Sequence, residues 1–507
     1  MRERKLYALL AMAFAVSRLG YYLLGVRFDA RPVLHYFQFI DPELLKHRLF
    51  ESLFYLHIQP PGWNLYTGAV LKLFPISYPM IFHLLYLLFG LGMCWSIYYL
   101  MRILRVSRWL AFTLATWFMV SPGVILFENY MLYEYLVSFL LLLATVALVH
   151  FVQDESWLWV VLFFASLFGL VLVRNIFHLA YFIAIMTALA FLSRARRQTV
   201  LLCGVLPLVA ILGLYAKNWI LFGSFSGSTW MGMNMDTITA HQLTSEEARK
   251  FVKRGVISPA SLLDLGSPIK LYGPYIQRPE RTGIPVLDDC LTSTGATNFN
   301  CMAFRQVQLI YTRDGLALLR NYPVVYLRSV EIAWFSYFLP AGDFPFFDLN
   351  RPKIHAIDRF WNVAFFGQFK EASDRKELRR LAASGASMSL PLYTGVFLMI
   401  GLPALWLWSV FYLLVGVRRK TLDPPTAILL GFLLLNITYV TAIANFLSSF
   451  ENNRYRFPLD ALYVVLLGIA LTKGLLQPAS RWWQRHRRSH PAGQSRSTAP
   501  DSASLGP

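Results

Sequence analysis

Acidic residues are scarce in this chain: 28 Asp and Glu stand against 47 Lys and Arg, for a formal charge of +19, yet charged residues of both signs make up only 15% of the total. Soluble domains carry about a quarter. The basic excess therefore does not describe a water-facing nucleic-acid surface. Much of it sits in short clusters beside apolar runs, where it reads as membrane topology and contact with anionic headgroups. Cysteine is nearly absent, with four in 507 residues, and no CxxC spacing offers a zinc site. Neither HExxH nor DxD occurs, and no internal repeat is visible. Before Arg27 there is no small-residue cleavage site, so the opening MRERK and the apolar run behind it read as an uncleaved first span.

Hydrophobic residues dominate instead, at 56% with 16% aromatics, and the mean hydropathy is +0.47. Apolar runs of about twenty residues recur, long enough to cross hydrocarbon as helices that satisfy their own backbone. The expected fold is an all-α polytopic membrane protein, a transmembrane helix bundle with spans near 6–26, 78–101, 109–127, 130–152, 157–173, 176–192, 199–221, 390–416, 426–447 and 456–475. With these ten, the basic clusters Arg2/Arg4/Lys5, Arg102/Arg105/Arg108, Arg194/Arg196/Arg197, Arg418/Arg419/Lys420 and Arg481/Arg485/Arg487/Arg488 all fall on the cytoplasmic side. The polar regions 27–77 and 222–389 then lie outside. Two further apolar stretches, 60–74 and 323–340, either both cross, making twelve spans, or both lie along the outer leaflet as juxtamembrane segments. The second arrangement strands no basic cluster.

The chain divides into an N-terminal transmembrane module, 1–221, with a first outer loop at 27–61; a loop region, 222–389; C-terminal helices, 390–476; and a basic tail, 477–507, whose Ser/Pro/Gly/Ala composition reads as disordered and cytoplasmic. Cys94 and Cys203 fall in apolar spans. Cys290 and Cys301, in DDCLTSTGATNFNC, have a spacing that closes a disulfide in an oxidising compartment, with two free thiols as the alternative. In the same region TSEEARKFVKRG starts a helix, with Thr244 or Ser245 as its cap. Arg351, Lys353 and His355 read as surface charge.

The densest polar stretch, RFDARPVLHYFQFIDPELLKHRLFESLFYLHIQPPGW, follows the first span and contains Asp29, Asp41, His57 and Gln59. Three more polar groups share its side of the membrane: Glu128 and Glu134 in FENYMLYEY, then Arg174-Asn175, then Glu451, Arg454 and Arg456 in ENNRYRFPLD. Carboxylates and arginines from separate helices at one membrane face suit a reaction on a lipid phosphate. Arginine grips phosphate bidentately, and a carboxylate takes a proton from an attacking hydroxyl. Plainer roles compete. Asp41-Pro42-Glu43 is an N-cap sequence, Glu134 and Arg174 suit a buried structural pair, and His57 suits a bond to the Pro-Pro turn.

An acid just past the first span (Asp29), the Pro60-Pro61 step in HIQPPGWNLY, an acid opening a long apolar span (Glu134 in YEYLVSFLLLLA) and the late RYRFP motif from Arg454 to Pro458 give a chain that resembles the GT-C class of integral membrane glycosyltransferases. Within it, the chain looks like the protein O-mannosyltransferases and the transferases that attach aminoarabinose to lipid A. The likeness covers the first 220 residues or so and the last helical pair. It implies transfer of a sugar from a polyprenyl-phosphate donor to an unidentified glycan, lipid or protein acceptor. The reaction would run with inversion, on the extracytoplasmic face of a bacterial cytoplasmic (inner) membrane, in cell-envelope assembly. It carries the general base onto Asp29, with Asp41 as the rival. His57, Gln59, Glu134, Arg174, Glu451, Arg454 and Arg456 become substrate-binding candidates. Where many relatives have Asp-Glu this chain has Asp29-Ala30, and Gln59 replaces a lysine found in some before Pro-Pro. No metal or other cofactor is required by this pattern; a divalent cation held by Asp29, Asp41 and Glu134 is the open alternative. A transporter or flippase of lipid-linked saccharide, or a non-catalytic assembly partner, are the competing classes.

Overall fold

The computed structural model describes residues 2–154, 156–371, 390–449 and 451–476. The basic tail with its arginine cluster and the segment 372–389 lie outside the described residues. The described chain is helical, and the only sheet-like pairings in it are the isolated bridges Asp29 to Tyr130 and Leu291 to Thr297.

Seven helices are long and apolar enough to cross a membrane, and an eighth span is complete if the bent pair Arg108–Met119 and Pro122–Glu128 is counted as one. The protein is an all-α multi-pass membrane protein. The span expected over 109–127 is broken, with a bend of 57°. Pro122 sits at the first position of the second helix, where its missing N–H costs nothing, but it cannot continue the helix before it. Two further apolar helices, Trp157–Val173 and Leu179–Leu192, occupy the remaining places among the ten expected spans. The doubtful stretches at 60–74 and 323–340 form helices Gly62–Leu73 and Pro323–Tyr337. At 12 and 15 residues they are neither among the helices long and apolar enough to cross nor among the shorter apolar ones.

The most enclosed spans are Tyr133–Gln153 and Asn452–Gly474, each with 67% of its apolar window buried, against 6% for Val396–Arg418. Glu134 and Arg454 therefore start the two central helices of the bundle. One end of the bundle gathers the loops. There the Asp29 N–H donates to the Asn129 carbonyl at 2.9 Å and the Met131 N–H to the Asp29 carbonyl at 3.0 Å, which ties the opening loop to the turn before helix Tyr133–Asp154. The opposite end carries the basic clusters, with Arg102 paired to Glu3 at 3.2 Å and Arg196 donating to the Phe151 carbonyl at 2.6 Å.

Above the loop-bearing end, helix Met302–Asn321 packs against the short helix Met231–Ile238. Their approach requires Gly232, because a Cβ there would lie 2.2 Å from the Gln308 carbonyl oxygen. Helix Ser245–Lys253 starts in a complete capping box between Thr244 and Glu247. The Cys290 and Cys301 sulfurs are bonded, and the loop they close clamps the opening loop. Ser293 donates its N–H and its hydroxyl to the Asp41 carboxylate, each at 2.6 Å, and the Asn300 side-chain oxygen accepts from the His57 N–H at 2.8 Å.

Candidate functional site

Three helix ends converge at the loop-bearing end. Glu134 is the second residue of helix Tyr133–Asp154, where the helix dipole favours a carboxylate, and Arg174 is the C-cap of Trp157–Val173, where it favours a cation. Arg454 lies in the first turn of helix Asn452–Ala470, where the dipole opposes it. Carboxylates offset that penalty: Arg454 Nε lies 3.0 Å from Glu134 Oε1 and its Nη1 lies 3.0 Å from Glu451 Oε2. Its Nη1 also donates to the Tyr36 hydroxyl at 2.6 Å. Arg174 Nη1 donates to the same Glu134 oxygen, and its guanidinium lies between the rings of Tyr133 and Tyr455, 4.6 and 4.4 Å from their centroids.

Glu134, Arg174 and Arg454 are buried, so two cations face one carboxylate away from water. Glu451 adds a second negative charge, but its side chain is 27% exposed and screened accordingly. The arrangement therefore favours an anion. Beside it lies a cavity of about 280 Å³ whose wall includes Gln38, Gln59, Arg174, Ser449, Glu451 and Arg454. Gln38 Oε1, Arg174 Nη2 and Ser449 Oγ are buried at that wall without a hydrogen-bond partner among the described residues, and so is Glu134 Oε2 behind it. Buried polar atoms are normally paired, so several orphans around one chamber indicate a place for a polar ligand.

The other candidates from the sequence lie elsewhere. Asp29 is buried but does not line the cavity; Arg31 grips its carboxylate with Nε at 2.9 Å and Nη2 at 2.6 Å, and also reaches Asp348 at 2.9 Å. Asp41 caps helix Pro42–His47 and holds Ser293, so both its oxygens are engaged. Gln59 is at the cavity wall and donates to the Gln38 carbonyl. Arg456 belongs to a different place from Arg454. Two residues along a helix turn by about 200°, so the two guanidiniums face opposite ways. Arg456 bonds the Tyr337 and Leu339 carbonyls and pairs with Asp460 at 3.0 Å, beside a separate apolar cavity. Arg351, read as surface charge, is partly buried among Asp343, Asp358 and Glu371.

His57 lies outside the cavity, fully buried, with Nδ1 2.8 Å from Thr229 Oγ1 and Nε2 3.0 Å from the Asn300 carbonyl. Burial pushes its imidazole down to about 3 from an ordinary 6.5. Acid therefore protonates the unfolded chain first, and this contribution to stability is complete above about pH 6.5 and falls as the pH drops towards 3. Between pH 7 and pH 5 the loss is about 2 kcal/mol. The melting temperature should drop over that interval, and a His57→Gln variant should show a smaller drop.

Tyr36, Gln38 and His241 are site residues that the sequence did not reveal. His241 lines the cavity, and its Nδ1 is 3.7 Å from Asp236 Oδ2. Burial, with Asp314 nearby, holds the Asp236 carboxyl well above the usual carboxylate range. The available signal was an acid inside the apolar run MGMNMDTI. Comparison with known proteins returns nothing: no family profile, curated protein or solved structure matches this chain.

Proposed function

We propose that this protein is an inverting membrane glycosyltransferase that moves a sugar from a polyprenyl-phosphate donor to an extracytoplasmic acceptor. The observation that carries the proposal is the convergence of Arg174 and Arg454 on a chamber ringed by unpartnered polar atoms. In this reading the donor phosphate lies against those two guanidiniums. The bond from the anomeric carbon to the phosphate oxygen breaks, and the arginines take the charge that develops on the leaving polyprenyl phosphate. The acceptor oxygen forms the new bond from the opposite side and gives its proton to a carboxylate. A second chamber of about 270 Å³ shares Pro60, Asn175, Asn234, Ser448 and Tyr455 with the first and continues past Tyr215, Ile443 and Leu447. It supplies an apolar path for the first isoprene units.

Asp29 is the base in this proposal. Asp41 is occupied as a helix cap, whereas Asp29 is bridged through its backbone to Tyr130, in the turn that leads into the helix carrying Glu134. Its ion pair with the half-exposed Arg31 would have to open when substrate enters. The broken span Arg108–Glu128 favours the transporter reading, because discontinuous helices line transport sites. One experiment separates the two. Purified protein in lipid nanodiscs is offered a panel of polyprenyl-phosphate sugars, and release of polyprenyl phosphate is measured. Asp29→Asn should lose about 100-fold or more in turnover, while Asp41→Asn keeps turnover within a few-fold. Full turnover by Asp29→Asn would remove the base. Wild-type protein that never releases polyprenyl phosphate but carries the intact donor across vesicles would be a transporter.

A further inference from the structure

A much larger cavity, about 1260 Å³, lies at the basic end of the bundle. Its walls come from helices Tyr133–Asp154, Trp157–Val173, Leu179–Leu192, Val396–Arg418 and Pro424–Leu447. Phe163 and Leu189 line its buried side, while Leu192, Leu414, Val417 and Leu435 on its rim are exposed. The trough thus opens sideways, towards the hydrocarbon that surrounds the bundle. A Cβ added at Gly431, on its wall, would meet nothing within 4 Å.

Arg105, Arg418 and Lys420 are also wall residues. Their side chains make no ion pair or hydrogen bond among the described residues. The one acid of the wall, Asp423, is engaged with Thr426 as the cap of the next helix. Arg105 and Lys420 share a second property: they are the only non-glycine residues with positive φ among the described residues, at 62° and 55°. Each follows a helix C-cap, with Arg105 N–H donating to the Arg102 carbonyl at 3.0 Å and Lys420 N–H to the Val417 carbonyl at 3.1 Å. That left-handed position normally takes glycine. Here both instances carry a long cation to the mouth of the same cavity, and backbone strain of this kind clusters at ligand clamps.

We propose that this cavity binds an anionic phospholipid, with its phosphate on Arg105, Arg418 and Lys420 and its acyl chains in the apolar trough. Unpaired cations at the mouth select a net negative headgroup over a zwitterionic one. The trough has more than four times the volume of the 270 Å³ chamber beside Tyr455, which favours a two-chain lipid in the trough. The position among the basic clusters places the site in the leaflet where anionic lipid is recruited by positive loops.

The test uses the full chain in zwitterionic detergent, titrated with phosphatidylglycerol, phosphatidylcholine, polyprenyl phosphate or inorganic phosphate. Native mass spectrometry counts bound lipid, and melting temperature reports stabilisation. Phosphatidylglycerol should bind saturably and raise the melting temperature by several degrees. Arg105→Gln/Arg418→Gln/Lys420→Gln should weaken binding about 100-fold. Gly431→Phe should weaken it at least tenfold with every charge intact. Each variant should melt without lipid as the wild type does; if the triple variant does not fold, Gly431→Phe alone decides the question. Equal binding of phosphatidylcholine, undiminished binding by the folded variants, tighter binding of polyprenyl phosphate, or equal stabilisation by inorganic phosphate would each overturn the assignment.

Discussion

Under the proposed function, Arg454→Lys should lower the release of polyprenyl phosphate about 10- to 100-fold, because an ammonium cannot replace a planar fork that meets several partners at once. The guanidinium of Arg454 reaches Glu134 and Glu451 at 3.0 Å each and Tyr36 at 2.6 Å. A lysine keeps the charge and at most part of that set. If the arginine holds the donor phosphate more tightly as charge develops, the loss falls on kcat and kcat/KM together. If it merely supports the fold, the melting temperature falls and the surviving protein turns over normally. Arg174→Lys should behave alike, with a further cost from its lost seat between Tyr133 and Tyr455. The measurement is donor-dependent turnover of each variant beside its thermal unfolding. Wild-type rates in both would remove the phosphate from this cavity.

Seven of the ten expected spans were legible because a helix crossing hydrocarbon must be long and apolar whatever it packs against, while the run at 109–127 is broken and those at 157–173 and 176–192 form shorter helices. Once basic clusters were assigned to one end, Glu134, Arg174 and Arg454 had to share the other, and the structure does bring them together at the loop-bearing end. Side-chain direction was harder. Arg456 looked like a partner for Arg454 because the two stand one residue apart in RYRFP, although helical periodicity alone sends them to opposite faces. The cap at Asp41 could be read from Asp41-Pro42-Glu43, but its bond to Ser293 could not, since that depends on how a distant loop returns. Tyr36 and Gln38 were hidden for the same reason. They lie in an irregular segment whose course is set by the disulfide-closed loop packed on it, and no local periodicity encodes that course. The break at Pro122 was visible as a proline inside an apolar run, yet the run's overall length suggested one straight helix.

Glu128→Ala should cost about 3–5 kcal/mol of stability, the usual result of leaving one member of a buried ion pair without its partner. Arg18, a lone cation inside the first span, donates to Glu128 from Nε at 2.9 Å and from Nη2 at 2.7 Å. Its Nη1 donates to the Met119 carbonyl at 2.9 Å, one of the acceptors set free where the span breaks. Tyr135 completes the shell with a bond of 2.6 Å to Glu128 Oε2. The pair thus fastens the first helix to the broken span just below the opening loop. It has no room to spare, because a Cβ at Gly90 would lie 2.5 Å from Glu128 Oε2. Replacing both partners with apolar residues of similar length, Arg18→Met with Glu128→Leu, should recover much of the loss, since neither charge is then stranded. Thermal unfolding of the two single variants and the double variant in one detergent measures this as a double-mutant cycle. A double variant no more stable than the sum of the singles would mean that the ion pair is not what fastens these helices. Activity should follow stability here and not exceed it, because Glu128 is fully occupied by Arg18 and Tyr135 and lies off the cavity wall.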